Sequence, residues 1–241
     1  RPIHWFGRSI ETAYRIVSVQ TKPSGELRVG LMVNGQSVEL ISPLVGEHHA
    51  VNVAAAFAVA NEFQLDRQTV IKAIASFPGL KRRFERYRDD KILTIVDDYA
   101  HHPTEIAATI TAARQHYPGR RIVVVFQPHL SERTTDLFGE FVAALRLADV
   151  VLIADSFEPP GRRVRADAKT SEDLTLALRE QTVGAEATQN LTSTTERARQ
   201  LVQSGDVVIT IGATRIWELA ASLTDWQPAE PNESVEGTSD A

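Results

Sequence analysis

An apolar, β-branched run, Ile92 to Val96, breaks abruptly into Asp97, Asp98, Tyr99, Ala100, His101 and His102, and Pro103 then opens a helical pattern. The order predicts strand, polar turn, helix. In an open α/β sheet, ligands bind at the carboxyl ends of strands, and the free amides at the next helix start favour anions. Two carboxylates, a phenol and two imidazoles therefore fall where chemistry is placed in such folds. An Asp-Asp pair ahead of a helix also serves simply as turn and cap. The two histidines on the same turn favour the chemical reading.

The rest of the second half repeats this unit. Strands are expected at Ile92–Val96, Arg121–Phe126, Val150–Ala154 and Val207–Ile211, with a further short one near Ala185–Thr188. Helices are expected at Pro103–His116, Glu132–Leu147, Ser171–Glu180, Thr194–Gln203 and Thr214–Leu223. Apolar strands alternating with amphipathic helices imply an α/β fold, a mainly parallel sheet with right-handed crossovers of the Rossmann-like kind. Gly212-Ala213-Thr214 is too sparse for the dinucleotide fingerprint, which disfavours a nicotinamide or flavin enzyme. Polar residues collect again after two strands, at Gln127 to Thr134 and at Asp155 to Gly161, so His129 and Arg133 should share a rim with Asp98 and His102. Arg162, Arg163 and Arg165 read as a solvated loop.

The first part is built differently. Tyr14 to Ile41 alternates apolar and polar residues around Pro23-Ser24-Gly25 and Asn34-Gly35, predicting an antiparallel meander. A bend at Gly46 to His49 leads into a small-residue helix over Ala50–Phe63, with Asn52 in its first turn, and a second helix is expected over Val70–Phe77, stopped by Pro78-Gly79. Lys81 to Arg86 then forms a cationic cluster at an expected domain boundary. Such runs are commonly solvated faces, but an Arg in an interdomain cleft suits bidentate phosphate binding.

Composition excludes several classes. A net charge of -5 argues against a general nucleic-acid surface, and the absence of Cys removes disulfides, thiolate metal sites and cysteine nucleophiles. No apolar run approaches the roughly 18 residues of a membrane span, and no signal-peptide pattern is present, so the expected location is cytoplasmic. The chain opens on Arg1-Pro2 without a start Met, as a segment of a longer protein would. Residues 227–241, rich in Pro, Glu, Ser and Gly, are expected to be a disordered tail.

Taken together, GEHHAVNVAAAFAVA (from Gly46), GLKRRFE (from Gly79), VDDYAHHPTEI (from Val96) and VFQPHLSERT (from Val125) resemble the Mur ligase family, over about Arg1 to Trp226. The DDYAHHPTEI string resembles most the branch that joins L-alanine to UDP-N-acetylmuramate in peptidoglycan precursor synthesis. The resemblance implies an ATP-dependent amide ligase that activates a carboxylate as an acyl phosphate, which an amine then attacks. It implies that residues 1–82 are the end of a central ATP-binding domain and residues 83–226 a C-terminal Rossmann-like ligase domain. The missing N-terminal part of the same protein would carry the GxxGKT P-loop and the ligands for Mg2+, neither of which occurs here, so this chain carries half of an active site.

By the family's pattern Asn52 contacts adenine, Arg83 the ATP phosphates and Asp98 the ribose. Tyr99, His101, His102, His129 and Arg133 line the place where carboxylate, amino acid and phosphate meet, with Arg83, His102, His129 and Arg133 closest to the chemistry. Four departures stand out. His49 replaces an Asn of HNxxN, and Leu130 and Ser131 replace Arg and Tyr of QPHRYxRT. The loop after Ala154 reads DSFEPPG in place of DVYxAxE, and Gly212 to Arg215 replaces GAGD. The lost Arg bears on the amine donor, and Arg162, Arg163, Arg165 or Arg215 is expected to supply its charge. Two other readings fit the motifs, a related ligase that attaches a recycled peptide to the same nucleotide sugar and a non-catalytic nucleotide-binding paralogue.

Overall fold

A computed structural model describes residues 3–22 and 25–228. Its first sheet has four strands, β1 (Phe6–Gly7), β2 (Tyr14–Thr21), β3 (Leu27–Val33) and β4 (Gln36–Ser42), in the order β1-β2-β3-β4. The last three form the predicted meander. Val33 pairs with Gln36, leaving Asn34 and Gly35 as a two-residue loop with φ of 48° and 78°. Positive φ at both centres is what a tight hairpin between right-twisted strands requires, hence Asn-Gly there. Leu27, Val29, Leu31 and Val33 alternate inward along β3, against Val53, Ala54, Phe57 and Ala58 of helix α1 (His49–Glu62). Helix α2 (Arg67–Ser76), capped by the Asp66 carboxylate accepting from the Thr69 amide at 2.8 Å, leans Val70, Ile71 and Ile74 on the same cluster.

The second sheet has six strands. In chain order its elements are β5 (Glu85–Asp89), β6 (Thr94–Asp98), α3 (Pro103–His116), β7 (Ile122–Phe126), α4 (Ser131–Asp136), α5 (Phe138–Leu145), β8 (Val150–Ile153), α6 (Ser171–Arg179), β9 (Gly184–Ala187), α7 (Leu191–Leu201), β10 (Val207–Ile211) and α8 (Trp217–Leu223). The spatial order is β5-β6-β10-β7-β8-β9, all parallel except β5 on β6. Every residue of β6, β7 and β10 is buried. That follows from helices on both faces, α3, α5 and α6 over one and α7 and α8 over the other. Each large apolar side chain so buried contributes about 1.5–3 kcal/mol.

The chain leaves β6 for one face and β10 for the other, although the two strands are neighbours. This makes their carboxyl ends a topological switch point, the usual crevice for ligands in open α/β sheets.

The structure corrects several sequence expectations. The organising strand runs Thr94–Asp98, not Ile92–Val96, because Asp97 and Asp98 find partners in the sheet: they pair in register with Thr210 and Ile211. A strand that no expected element covers, the edge strand β5, takes up Glu85 and Arg86 at the end of the cationic cluster. The single helix expected over Glu132–Leu147 is two, divided at Leu137, whose φ of -115° leaves the helical range. The last helix starts at Trp217, three residues after the expected Thr214, because Gly212 to Arg215 turns away from β10. The Pro23-Ser24 turn and most of the expected disordered tail lie outside the described residues. No helix among the described residues is long and apolar enough to cross a membrane.

At the amino ends of the strands, away from the rim, one carboxylate gathers the sheet. Asp206 is buried and accepts from Arg121 Nε at 2.9 Å, Arg121 Nη2 at 2.7 Å and the Gln203 amide at 2.8 Å. Arg120 donates to the carbonyls of Gly205 and Asp206 and to Thr94 Oγ1, crossing from β7 towards β10 and β6. Asp206 is buried whereas Arg121 is partly exposed, so the loss of the carboxylate costs its charge-assisted hydrogen bonds more than a stranded charge. Asp206→Ala should therefore lower the unfolding free energy by about 1.5–3 kcal/mol, seen as a lower urea midpoint at unchanged slope; an unchanged midpoint would show that the network contributes nothing net.

Candidate functional site

Asn52, Arg83 and Asp98, widely separated in sequence, line one cleft of about 520 Å³ between α1 and α3. Its apolar wall is Leu44, Phe77 and Leu80; its polar wall is His48, His49, Thr104 and Glu105. Phe77 and Leu80 are large apolar side chains left exposed, which suits a flat base. Asn52 Nδ2 lies 3.4 Å from His49 Nδ1. Burial above all, then the neighbouring His48 and Arg83, lowers the His49 pKa to about 4, so its ring is neutral at working pH. Arg83 extends into the cleft with Nη1 3.9 Å from Glu105 Oε1.

The two consecutive aspartates serve different surroundings because side chains alternate across a strand. Asp98 accepts from the Phe84 amide at 2.9 Å and the Ala100 amide at 2.8 Å. Its pKa is raised by burial and held back by those bonds and by Thr109 on α3. Asp97, fully buried, accepts from Thr210 Oγ1 at 2.6 Å and from Arg82 Nε at 2.9 Å.

A row of rings crosses the carboxyl ends of β6, β7 and β8. The Arg83 guanidinium lies 5.7 Å from the Tyr99 ring centre, Tyr99 is 5.4 Å from His101, His101 is 6.3 Å from His129, and His129 stacks on Phe157 at 5.7 Å. His102 stands apart from the row. It caps α3, its Nδ1 accepting from the Thr104 amide at 3.4 Å, while Glu105 reaches back to the amides of His101 and His102 at 3.0 and 3.3 Å. This is a capping box with His in the usual Ser/Thr place, followed by Pro at the first helical position.

His129, Arg133 and Ser156 each carry a buried polar atom on the rim without a hydrogen-bond partner among the described residues. In the first two these atoms are His129 Nδ1 and Arg133 Nη1. The His129 pKa is lowered by burial first, then by Arg133 and His101. An anionic group brought to this place would accept from Arg133 Nη1, and from His129 Nδ1 in the tautomer that carries its proton there. The loop holding them is clamped to the next one: Leu130 donates its amide to the Phe157 carbonyl at 3.1 Å, and Phe157 donates to the Pro128 carbonyl at 2.9 Å. Of the arginines expected to replace the one missing at Leu130, Arg165 pairs with Asp136 and Asp167 and Arg215 with Glu218. Arg162 reaches Glu132, and its charge is felt at His129.

Sequence reasoning missed Arg82, Phe77, Leu80 and Glu105 as parts of this surface. Glu105 could have been found as the third residue after a helix cap; Arg82 was hidden beside Arg83 in one basic run.

Residues 82–214 match the model of the Mur ligase glutamate ligase domain. A UDP-N-acetylmuramate–L-alanine ligase of Nitrosomonas eutropha is 36% identical over 203 residues, covering 82% of this chain and 42% of the relative. One from Delftia acidovorans is 33% identical over 249 residues, covering 98% and 51%. This chain thus spans about half the length of the curated relatives it matches. Among solved structures, a UDP-N-acetylmuramate–alanine ligase of Thermotoga maritima superposes with a TM-score of 0.75 at 24% identity, covering 91% of this chain and 46% of the other. A folylpolyglutamate synthase of Mycobacterium tuberculosis complexed with ADP superposes with a TM-score of 0.66 at 25% identity, covering 90% and 49%. With the family model matched over more than half of its residues, and the motifs of the cleft and the rim borne by one fold, this chain belongs to the Mur ligase family.

Proposed function

We propose that the protein to which this chain belongs is an ATP-dependent amide ligase joining L-alanine to UDP-N-acetylmuramate through an acyl phosphate. In this reading residues 1–82 complete a central ATP-binding domain and residues 83–226 form the ligase domain. The observation that carries it is the row from Arg83 through Tyr99 and His101 to His129, which connects the Asn52–Arg83–Asp98 cleft to two buried, partnerless nitrogens, His129 Nδ1 and Arg133 Nη1. The names of the curated relatives support the choice of substrates.

ATP, when bound, supplies the phosphoryl group that activates the carboxylate. This chain contributes binding and positioning. The apolar wall and Asn52 receive the base, with neutral His49 adding no charge beside it, and Asp98 holds the cleft wall to the Arg83 segment. Arg83 meets charge on the transferred phosphoryl oxygens, where little covalent work is needed from protein and positioned cations contribute most. Tyr99, His101 and His102 border the carboxylate, and His129 with Arg133 receives the anionic end of the incoming amino acid. Among the described residues no group of three His, Asp or Glu is arranged to hold a metal, so no step is assigned here to Mg2+. Leu130, in the place of the family's usual Arg, keeps a recycled-peptide ligase as the second reading; comparing amine donors in ATP turnover separates the two.

The chain by itself contains no GxxGKT segment to cradle the β- and γ-phosphates. Purified alone, it should release no phosphate in response to donor, and sustained donor-dependent release would refute the division of labour proposed. In the full-length protein, Arg83→Ala should lower kcat about a hundredfold, ~3 kcal/mol of barrier, with a smaller rise in the KM for ATP. A parental kcat would return Arg83 to a solvated face.

His49 also gives stability a pH dependence of fixed sign. Its folded pKa of about 4 lies below the ordinary histidine value, so the unfolded chain takes up the proton first as pH falls. The contribution is whole above about pH 6.5 and is lost towards pH 4, with a slope of up to ~1.4 kcal/mol per unit. His49→Asn, the family's usual residue, should flatten urea-midpoint loss between pH 6.5 and 4 and leave the midpoint at pH 7.5 little changed. Parallel pH profiles for the two proteins would contradict a neutral, buried His49.

A further inference from the structure

The switch-point crevice between β6 and β10, where a sheet of this kind would receive its ligand, is filled by the protein's own cation. Arg82 donates from Nε to Asp97 at 2.9 Å on β6 and from Nη2 to the Gly212 carbonyl at 2.6 Å, just past the end of β10. One planar fork therefore ties the carboxyl ends of two neighbouring parallel strands, a geometry an ammonium cannot copy. Asp97 has no other cationic partner among the described residues, and its burial disfavours the charge that Arg82 and Thr210 stabilise.

The same residue fixes the backbone that carries Arg83. The Arg82 carbonyl accepts from the Tyr99 amide at 2.7 Å, the Arg82 amide donates to Glu85 Oε2 at 2.8 Å, and the Phe84 amide donates to Asp98 at 2.9 Å. Arg82 and Phe84 are both held at positive φ, 58° and 50°, on either side of Arg83. Non-glycine residues take that conformation at a cost, and persist in it where their surroundings over-determine it. Above this segment the Tyr99 ring meets both guanidinium groups, 4.9 Å from that of Arg82 and 5.7 Å from that of Arg83.

We propose that Arg82 is a positioning residue: by bridging the ends of β6 and β10 and anchoring the turn beneath Tyr99, it sets where the Arg83 guanidinium enters the nucleotide cleft. The inference rests on the proposed role of Arg83 and adds that the neighbouring Arg acts through it without touching substrate. Arg82 is thus required as an Arg, whereas a residue of the basic run serving only solubility would tolerate Lys.

The test is a double-mutant cycle in the full-length protein, with kcat and the KM for ATP measured for Arg82→Lys, Arg83→Ala and the pair. Arg82→Lys should lower kcat about tenfold with the KM changed less than about threefold, and the double variant should be no slower than Arg83→Ala by more than about twofold. Asp206→Ala, which removes an ion pair at the opposite ends of the strands, far from the rim, should lower the melting temperature and keep kcat. A parental kcat for Arg82→Lys overturns the proposal, as do losses that multiply in the double variant. A parental kcat for Arg83→Ala removes the reading of Arg83 on which it rests and is recognised from that single variant. If Arg82→Lys does not fold, Arg82→Gln combined with Asp97→Asn removes both charges together; it should show the same kcat loss, and parental turnover there counts equally against the proposal.

Discussion

Three adjacent parallel strands with every side chain buried leave a polar group only two places to stand, the amino ends and the carboxyl ends of the sheet. An unpaired carboxylate within such a layer would cost several kcal/mol in desolvation. The chain obeys this constraint at both ends. Asp206 and two arginines close the amino ends with a network that touches no cleft, while the carboxyl ends carry Asp97, Asp98 and the histidines. Structure and candidate chemistry are thereby separated by the length of a strand.

The Asp97-Asp98 pair shows how adjacent identical residues come to do different things. Strand alternation sends one carboxylate into the β6–β10 crevice, where Arg82 and Thr210 meet it, and the other towards α3 and the main chain of the Arg83 segment. Neither is a simple turn residue. Together they fix both neighbours of Arg83 in the chain, Arg82 through its side chain and Phe84 through its amide.

Much of this was legible in the sequence. Pro103–His116 and Val207–Ile211 appear with their expected bounds because apolar periodicity and a helix-opening proline mark them unambiguously. Asn52, Arg83 and Asp98 stand in separate motifs that the family resemblance assigns to one nucleotide, and the fold lines one cleft with all three. What escaped had physical causes. Strand β5 carries charged residues on a sheet edge, so its pattern reads as a solvated run. The break at Leu137 and the late start of α8 depend on tertiary packing that no local propensity reports. Arg82 and Arg83 are indistinguishable in sequence, since their difference lies in which acceptors the fold places within reach.

Backbone strain marks the same places independently of side-chain chemistry. Among the described residues six non-glycine residues have positive φ: Asn34, Gln64, Arg82, Phe84, Leu130 and Thr182. Asn34 belongs to a two-residue hairpin loop, and Gln64 and Thr182 follow the ends of α1 and α6, where a left-handed residue commonly ends a helix. The other three have no such local excuse. Arg82 and Phe84 bracket Arg83, and Leu130 follows His129, its amide spent on the Phe157 carbonyl. Leu is a poor choice for φ of 70°, so the loop geometry that holds His129 against Phe157 is imposed by the two loops' mutual hydrogen bonds, not by the residue at 130. That separates the two consequences of having Leu there: the position of His129 is kept by backbone, while whatever charge a longer cationic side chain would bring must come from elsewhere on the rim, where Arg133 already holds one buried donor without a partner.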